Sequence, residues 1–244
     1  MAALGAALLS LVSCGGGGNS SSPTPQPTSA TAAAKFAPPA GKTWMDVVEK
    51  TELGYRQGNP NAPVRLVEYG SRTCPVCGHF ANTGIEPLRA KYVSTGQVSY
   101  EYREFWVHPQ DPGPSLLGNC VPTEAFFTVL DQMYAEQTEL NKNAETVYPT
   151  VQPLPEDQKP TAWAERLGYL DFMKQRGLPE AKARQCLNDK ALLKTITDRM
   201  EKAHNEKDIS GTPTFFINDV QAPQQPPTVS WEQLEPLLQA AGAR

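Results

Sequence analysis

"GNPNAPVRLVEYGSRTCPVCGHF", residues 58–80, is the stretch on which the fold turns. Val64-Arg65-Leu66-Val67-Glu68-Tyr69 is short, β-branched and mostly apolar, and it is bounded by Pro63 and Gly70, which is how a buried strand reads. A helix follows at once. From Cys74 through Tyr92 the apolar residues Val76, Phe80, Ile85, Leu88 and Tyr92 recur at helical spacing, with Pro87 inside the run predicting a kink. The next strand is expected in "QVSYEYREFWVH", residues 97–108. Two strands joined by a helix within about forty residues predict a βαβ unit with a parallel strand pair.

Upstream, "VEKTELGYRQG" (48–58) reads as one further strand. From 111 to 205 the character is helical: "PTEAFFTVLDQMYAEQ", "TAWAERLGYLDFMKQRG", "PEAKARQCLND" and "KALLKTITDRMEKAHNEK" carry apolar stripes near the 3.6-residue period, and no strand is evident. Strand character returns at "TPTFFIND". The chain then ends in "SWEQLEPLLQAAG", where Ser230 and Gln233 have capping-box spacing and Gly242 marks a stop. Neither β-rich end could form a sheet with two covered faces by itself, so the expectation is one α/β domain with a helical insertion. The limits read as 42–110 and 206–244 for the two parts of the α/β domain and 111–205 for the insertion.

The start of the chain differs. "MAALGAALLSLVSC" holds an apolar run of signal-peptide length, well short of the ~20 residues that span a bilayer. Residues 1–13 read as an export signal, and Leu11-Val12-Ser13-Cys14 resembles the lipobox of bacterial lipoproteins, in which the cysteine is lipidated. The departure is the absence of Lys or Arg before the run, so a start upstream of Met1 is the expectation. Residues 14–41, rich in Gly, Ser, Thr, Pro and Ala, cannot bury enough apolar surface to offset ordering and read as a flexible tether. A net charge of -4, with charges scattered, leaves no basic face for a phosphate backbone, so nucleic acid is excluded as a partner.

Cys74 and Cys77 form a single CxxC among five cysteines. A zinc knuckle wants a second pair or matched histidines, and there is none. Haem attachment needs the histidine directly after the second cysteine, whereas Gly78 intervenes before His79. A redox pair has a physical fit: Cys74 falls at a helix N-cap with Pro75 where a missing N–H costs nothing, so unpaired amides and the helix dipole stabilise a thiolate. Cys77, one turn on, is placed to resolve a mixed disulfide. Outside the cytosol such a pair is oxidised and accepts electrons from folding proteins. A metal-binding thiol protein stays open as an alternative.

Residues 58–80 together with the late "GTPTFFIN" (211–218) resemble the DsbA-like thiol:disulfide oxidoreductases, a thioredoxin-fold family with an inserted helical domain. The resemblance runs over about residues 42–244. It implies that Cys74 is the exposed nucleophile, Cys77 the resolving thiol, and Thr212-Pro213 a loop with a cis proline that offers backbone to an extended substrate. Pro75 and Val76, between the cysteines, then meet substrate as well. Glu68 matches a buried acid that relays the proton of Cys77; the other reading is a strand acid facing solvent. Val76 stands where the best-known relatives have histidine and cannot stabilise the Cys74 thiolate, which implies a less oxidising disulfide. Cys120 and Cys186 match a second disulfide in some relatives. The resemblance implies no cofactor, envelope proteins with reduced or wrongly paired cysteines as substrates, a DsbB- or VKOR-type membrane partner, and a place in the periplasm or cell envelope anchored at Cys14. It leaves oxidase and isomerase or reductase open.

Overall fold

The computed structural model describes residues 37–223 and 230–244. The signal at 1–13, Cys14 and the tether up to residue 36 lie outside the described residues. Val64–Gly70 (β3) and Val98–Glu104 (β4) are parallel and in register from Val64 opposite Val98 to Gly70 opposite Glu104. Around this pair stand Val48–Lys50 (β1), Tyr55–Gln57 (β2), Thr214–Ile217 (β5) and Val220–Gln221 (β6), giving a sheet in the order β1-β2-β4-β3-β5-β6 with every other pairing antiparallel. The single strand expected in 48–58 is therefore a hairpin. Thr51 folds the chain back, its hydroxyl accepting from the amides of Leu53 and Gly54. The short β6 was not foreseen; it follows Asn218 and Asp219, both at positive φ, and its two side chains are exposed and carry no strand-like alternation.

Strand periodicity sorts β3 into two faces. Val64 and Leu66 enter one cluster with Phe80, Leu88, Phe215, Trp231, Leu234 and Leu238, while Val67 and Tyr69 enter another with Phe105, Ala203, Ile209 and Phe216. Glu68 shares the parity of Leu66, so it faces the side that carries Cys77. That side is covered by Pro75–Thr83 (α1) and by Trp231–Ala240 (α11), the latter opening on the Ser230/Gln233 capping box. The kink expected at Pro87 is a break at Gly84, followed by Ile85–Leu88 (α2) and a π-helical turn at Arg89–Val93. A proline ring clashes with the carbonyl four residues back, here that of Thr83, so α1 ends at that residue.

Between β4 and β5 the described residues are helical: Pro112–Gly118 (α3), Phe126–Ala135 (α4), Gln137–Asn141 (α5), Ala144–Val151 (α6), Lys159–Arg166 (α7), Tyr169–Gln175 (α8), Glu180–Leu187 (α9) and Lys190–Lys207 (α10). Helix α4 belongs to two cores. Phe126, Phe127, Leu130 and Tyr134 pack on the sheet, and Val129 and Met133, from its other face, join Leu116, Trp163, Tyr169 and Phe172 in a helical core. Cys120, just after α3, is joined by a disulfide to Cys186 in α9 across 66 residues. Closing such a loop restricts the unfolded chain by about 4 kcal/mol in the chain-entropy model. Replacing both cysteines by alanine is therefore expected to lower the unfolding free energy by about that amount, read from urea titrations with Cys74 and Cys77 held reduced in both proteins. A change below about 1 kcal/mol would assign the bridge no stabilising role.

Candidate active site

Cys74 is the N-cap of α1, extended at φ -74° and ψ 119°, with Pro75 in the first helical turn. Its carbonyl accepts from Gly78 N at 3.0 Å, closing the first helical ring, so the amides of Val76 and Cys77 are left pointing at its sulfur. Those amides and, above all, the Cys77 thiol hydrogen-bond the thiolate and pull Cys74 down to about 5 against the opposing effect of burial. Cys77 has no exposed surface, and burial pushes its thiol well above the usual range, reinforced by its bond to the Cys74 sulfur and by the charges of Cys74 and Glu68. Both are free thiols, and Cys74, expected to be exposed, is itself buried at 5 % exposure against the Thr212 carbonyl. The two sulfurs are thus driven apart, one toward a thiolate at neutral pH and the other toward a thiol.

The Thr212-Pro213 peptide is cis, and the Cys74 thiol donates to the Thr212 carbonyl at 3.4 Å. The Thr212 hydroxyl, buried and unpartnered toward the thiol, is placed to donate to the sulfur once it ionises. Pro75 is exposed and Val76 half-buried, so the dipeptide between the cysteines reaches the surface. Cys120, half-buried, and Cys186, buried, lie in the helical segment and are joined to each other instead.

Glu68 is only 1 % exposed, which removes the solvent-facing alternative. Tyr100 donates to its Oε2 at 2.6 Å, and Oε1 is buried without a partner. Burial pushes the carboxyl up to about 7, the Tyr100 bond opposing and the Cys74 charge adding to the rise. Because the folded value lies above the unfolded one, this group's stabilising effect is complete below the unfolded value and is lost as pH rises through about 7. Glu68→Gln is therefore expected to raise stability above pH 7 by about 3 kcal/mol while slowing thiol exchange about tenfold or more at pH 7. Denaturation and stopped-flow exchange measured on the same protein check both directions. Unchanged exchange would remove the relay role.

Residues that sequence reasoning missed hold the loop before Cys74. The hydroxyls of Ser71 and Thr73 both donate to Asp111 Oδ1 at 2.7 Å, while Asp111 Oδ2 accepts from the amides of Val107 and His108. Gln137, from α5, donates through Nε2 to the carbonyls of Arg72 and Cys74 at 2.9 and 3.0 Å. A Cβ at position 78 would stand 2.3 Å from Gln137 Oε1, so a larger residue after Cys77 would displace the Gln137 side chain from the carbonyls it holds. Tyr134 reaches the Ser71 carbonyl at 3.1 Å. Arg72 is wholly buried: its Nε donates to Glu104 Oε1 at 2.9 Å, its Nη2 lies 2.8 Å from the same oxygen as a charge contact without aligned hydrogen-bond geometry, and its guanidinium lies over the rings of Tyr102 and Phe126. His108 Nδ1 stands 3.1 Å from Thr73 Oγ1, so this histidine is part of the active-site surround although its spacing ties it to nothing in sequence.

The sequence profile of the family described as Thioredoxin matches residues 50–240. The crystal structure of a protein-disulfide isomerase from Novosphingobium aromaticivorans superposes with a TM-score of 0.70 at 30 % identity, covering 76 % of this chain and 95 % of that one. Wolbachia pipientis alpha-DsbA1 superposes at 0.61 with 21 % identity, over 76 % of this chain and 89 % of its own, a likeness of fold. Among curated proteins, one from Rickettsia felis, provisionally named a protein-disulfide oxidoreductase, is 27 % identical over 168 residues, 67 % of this chain and 52 % of its own length. The chain spans about half the length of that relative. With a parallel β3-α1-β4 unit, a CxxC at the N-terminus of α1 and a helical segment inserted before the cis-proline strand, the chain belongs to the thioredoxin family and has its DsbA-like fold.

Proposed function

We propose that the protein is an exported thiol:disulfide oxidoreductase that passes the Cys74–Cys77 disulfide to reduced cysteines of envelope proteins. The observation that carries this reading is the opposite displacement of the two thiols, one stabilised as a thiolate and the other held protonated. A substrate thiolate attacks Cys74 Sγ, the bond between Cys74 and Cys77 breaks, and Cys77 leaves with the electron pair and takes a proton that Glu68 can supply. The second substrate thiolate then attacks the substrate sulfur of the mixed disulfide and expels Cys74 as its stable thiolate. Two electrons have moved from substrate to protein. Main-chain groups flanking Pro213 bind the extended peptide by strand addition.

A stabilised Cys74 thiolate favours the reduced form of the protein, and this inclines the pair toward donating its disulfide. The equilibrium reduction potential, measured in glutathione buffers with Cys120 and Cys186 followed separately, tests the direction. A value near or above about -180 mV fits a disulfide donor, and one near or below about -250 mV fits a reductase. Replacing Val76 by histidine is expected to raise the potential by adding a group that stabilises the thiolate; a fall would overturn that account. The metal-binding alternative would be favoured by tight, stoichiometric Cu(I) or Zn binding to the reduced protein without disulfide exchange. Among the described residues no helix is long and apolar enough to cross a membrane. The lipid anchor at Cys14, the 14–41 tether, the domain limits at 42, 111 and 206, and reoxidation by a DsbB- or VKOR-type membrane protein complete the proposal; globomycin-sensitive processing tests the anchor.

A further inference from the structure

A cleft of about 470 Å³ opens beside the nucleophile, and Thr73 and Pro75, the residues on either side of Cys74, form one wall of it. The opposite wall comes from the helical segment: Asn141 at the end of α5, Glu145 and Tyr148 on α6, and Trp163 on α7. Tyr148 is 41 % exposed, unusual for a large hydrophobic side chain among the described residues, and its ring makes a tilted pair with the buried Trp163 ring at 6.3 Å. Asn141 spends its Nδ2 on Tyr169 Oη and the Gln137 carbonyl, while its Oδ1 is buried without a partner. Glu145 is exposed and forms no ion pair among the described residues, and no lysine or arginine lines the cleft. His108, also in the wall, has Nδ1 engaged with Thr73 Oγ1. The exposed Tyr148 ring, backed by the buried Trp163, and the unpaired Glu145 carboxylate make a surround suited to a cation.

We propose that this cleft receives an arginine or lysine side chain adjacent in a substrate to the cysteine that pairs with Cys74. The inference rests on the thiol-exchange reading and adds a sequence preference to it. An extended peptide held at the Pro213 loop presents its cysteine to Cys74, and a side chain close to that cysteine in sequence enters between Pro75 and α6. An apolar residue fits the aromatic wall but leaves the Glu145 charge unanswered, and an acidic one meets it with like charge.

The test uses the oxidised full chain and dithiol peptides identical except at the positions flanking the first cysteine, which carry arginine, lysine, norleucine or glutamate. Each second-order rate is divided by that peptide's rate with an uncharged disulfide, 2-hydroxyethyl disulfide, which removes the effect of neighbouring charge on cysteine reactivity. The arginine peptide is expected to be oxidised about tenfold faster than the glutamate peptide at low salt, with norleucine between them and the spread shrinking as salt is raised. E145K is expected to reverse the order of arginine and glutamate. Equal normalised rates across the series, or norleucine fastest, would overturn the subsite while leaving thiol exchange intact. No oxidation of any peptide would overturn both.

Discussion

Cys74→Ser is expected to abolish disulfide transfer to a dithiol peptide, at least about a thousandfold below the parent protein. Cys77→Ser is expected to behave differently, accumulating a mixed disulfide between Cys74 and substrate that mass spectrometry detects. The asymmetry follows from position. Cys74, at the N-cap, has its sulfur against the amides of Val76 and Cys77 and beside the Thr212 carbonyl, whereas Cys77 is sealed under the sheet face with Glu68. In the reduced protein, thiolate absorbance should therefore report loss of the first proton from the pair near pH 5, with no second thiolate until the pH is well above 9. The same displacement acts on stability. The folded value lies below the unfolded one, so the stabilising effect of the Cys74 thiolate is complete above about pH 8.5 and is lost as pH falls through about 5. At pH 7 it amounts to about 3 kcal/mol. Denaturation of reduced and oxidised protein across this range checks it: the reduced form should gain on the oxidised form as pH rises from 5 toward 8.5. A constant difference would show that the sulfur is an ordinary thiol.

The second large effect is on the fold, through Arg72 and Glu104. Glu104→Gln leaves a guanidinium with no exposed surface beside a neutral amide, and is expected to cost about 3 to 5 kcal/mol, roughly 10 °C in Tm for a domain of this size. The Arg72 side chain fits so closely that a Cβ at Gly118 would approach its Nη1 to 2.4 Å, and Nη1 already rests 3.3 Å from Met133 Sδ. Removing both charges, as in R72M/E104L, should recover most of the loss, because neither partner is then left buried alone. A double variant as unstable as the single one would mean that packing of the arginine stem, and not its charge, holds this region. Arg72 lies two residues before Cys74 and its carbonyl is held by Gln137, so Glu104→Gln is also expected to broaden the titration of Cys74 well before the protein unfolds.

The sheet centre, the helix after it and the position of the CxxC at that helix's start were legible in sequence because their causes are local. β-branched residues between Pro63 and Gly70 make β3, and Pro75 at the start of a helical stripe places Cys74 at a cap. The capping box at Ser230 was equally local. Pro87 gave the kink but not its position, since the ring acts on a carbonyl four residues back and the break falls at Gly84. The hairpin at 48–57 was read as one strand because its polar residues carry no clear alternation.

What the chain's sequence by itself determined is the parallel βαβ unit, the helical character of the middle and the address of the two thiols, all products of backbone preference and residue periodicity over short distances. The tertiary structure alone decided how those thiols differ and what surrounds them. Glu68 becomes a buried acid only when β4 brings Tyr100 beside it, and the loop at Cys74 is fixed by Asp111, Tyr134 and Gln137, which stand 38 to 65 residues away along the chain. A hydrogen bond across such a separation leaves no period and no local composition. It is set by how the helical segment docks on the sheet, through α4 sharing its two faces between both cores.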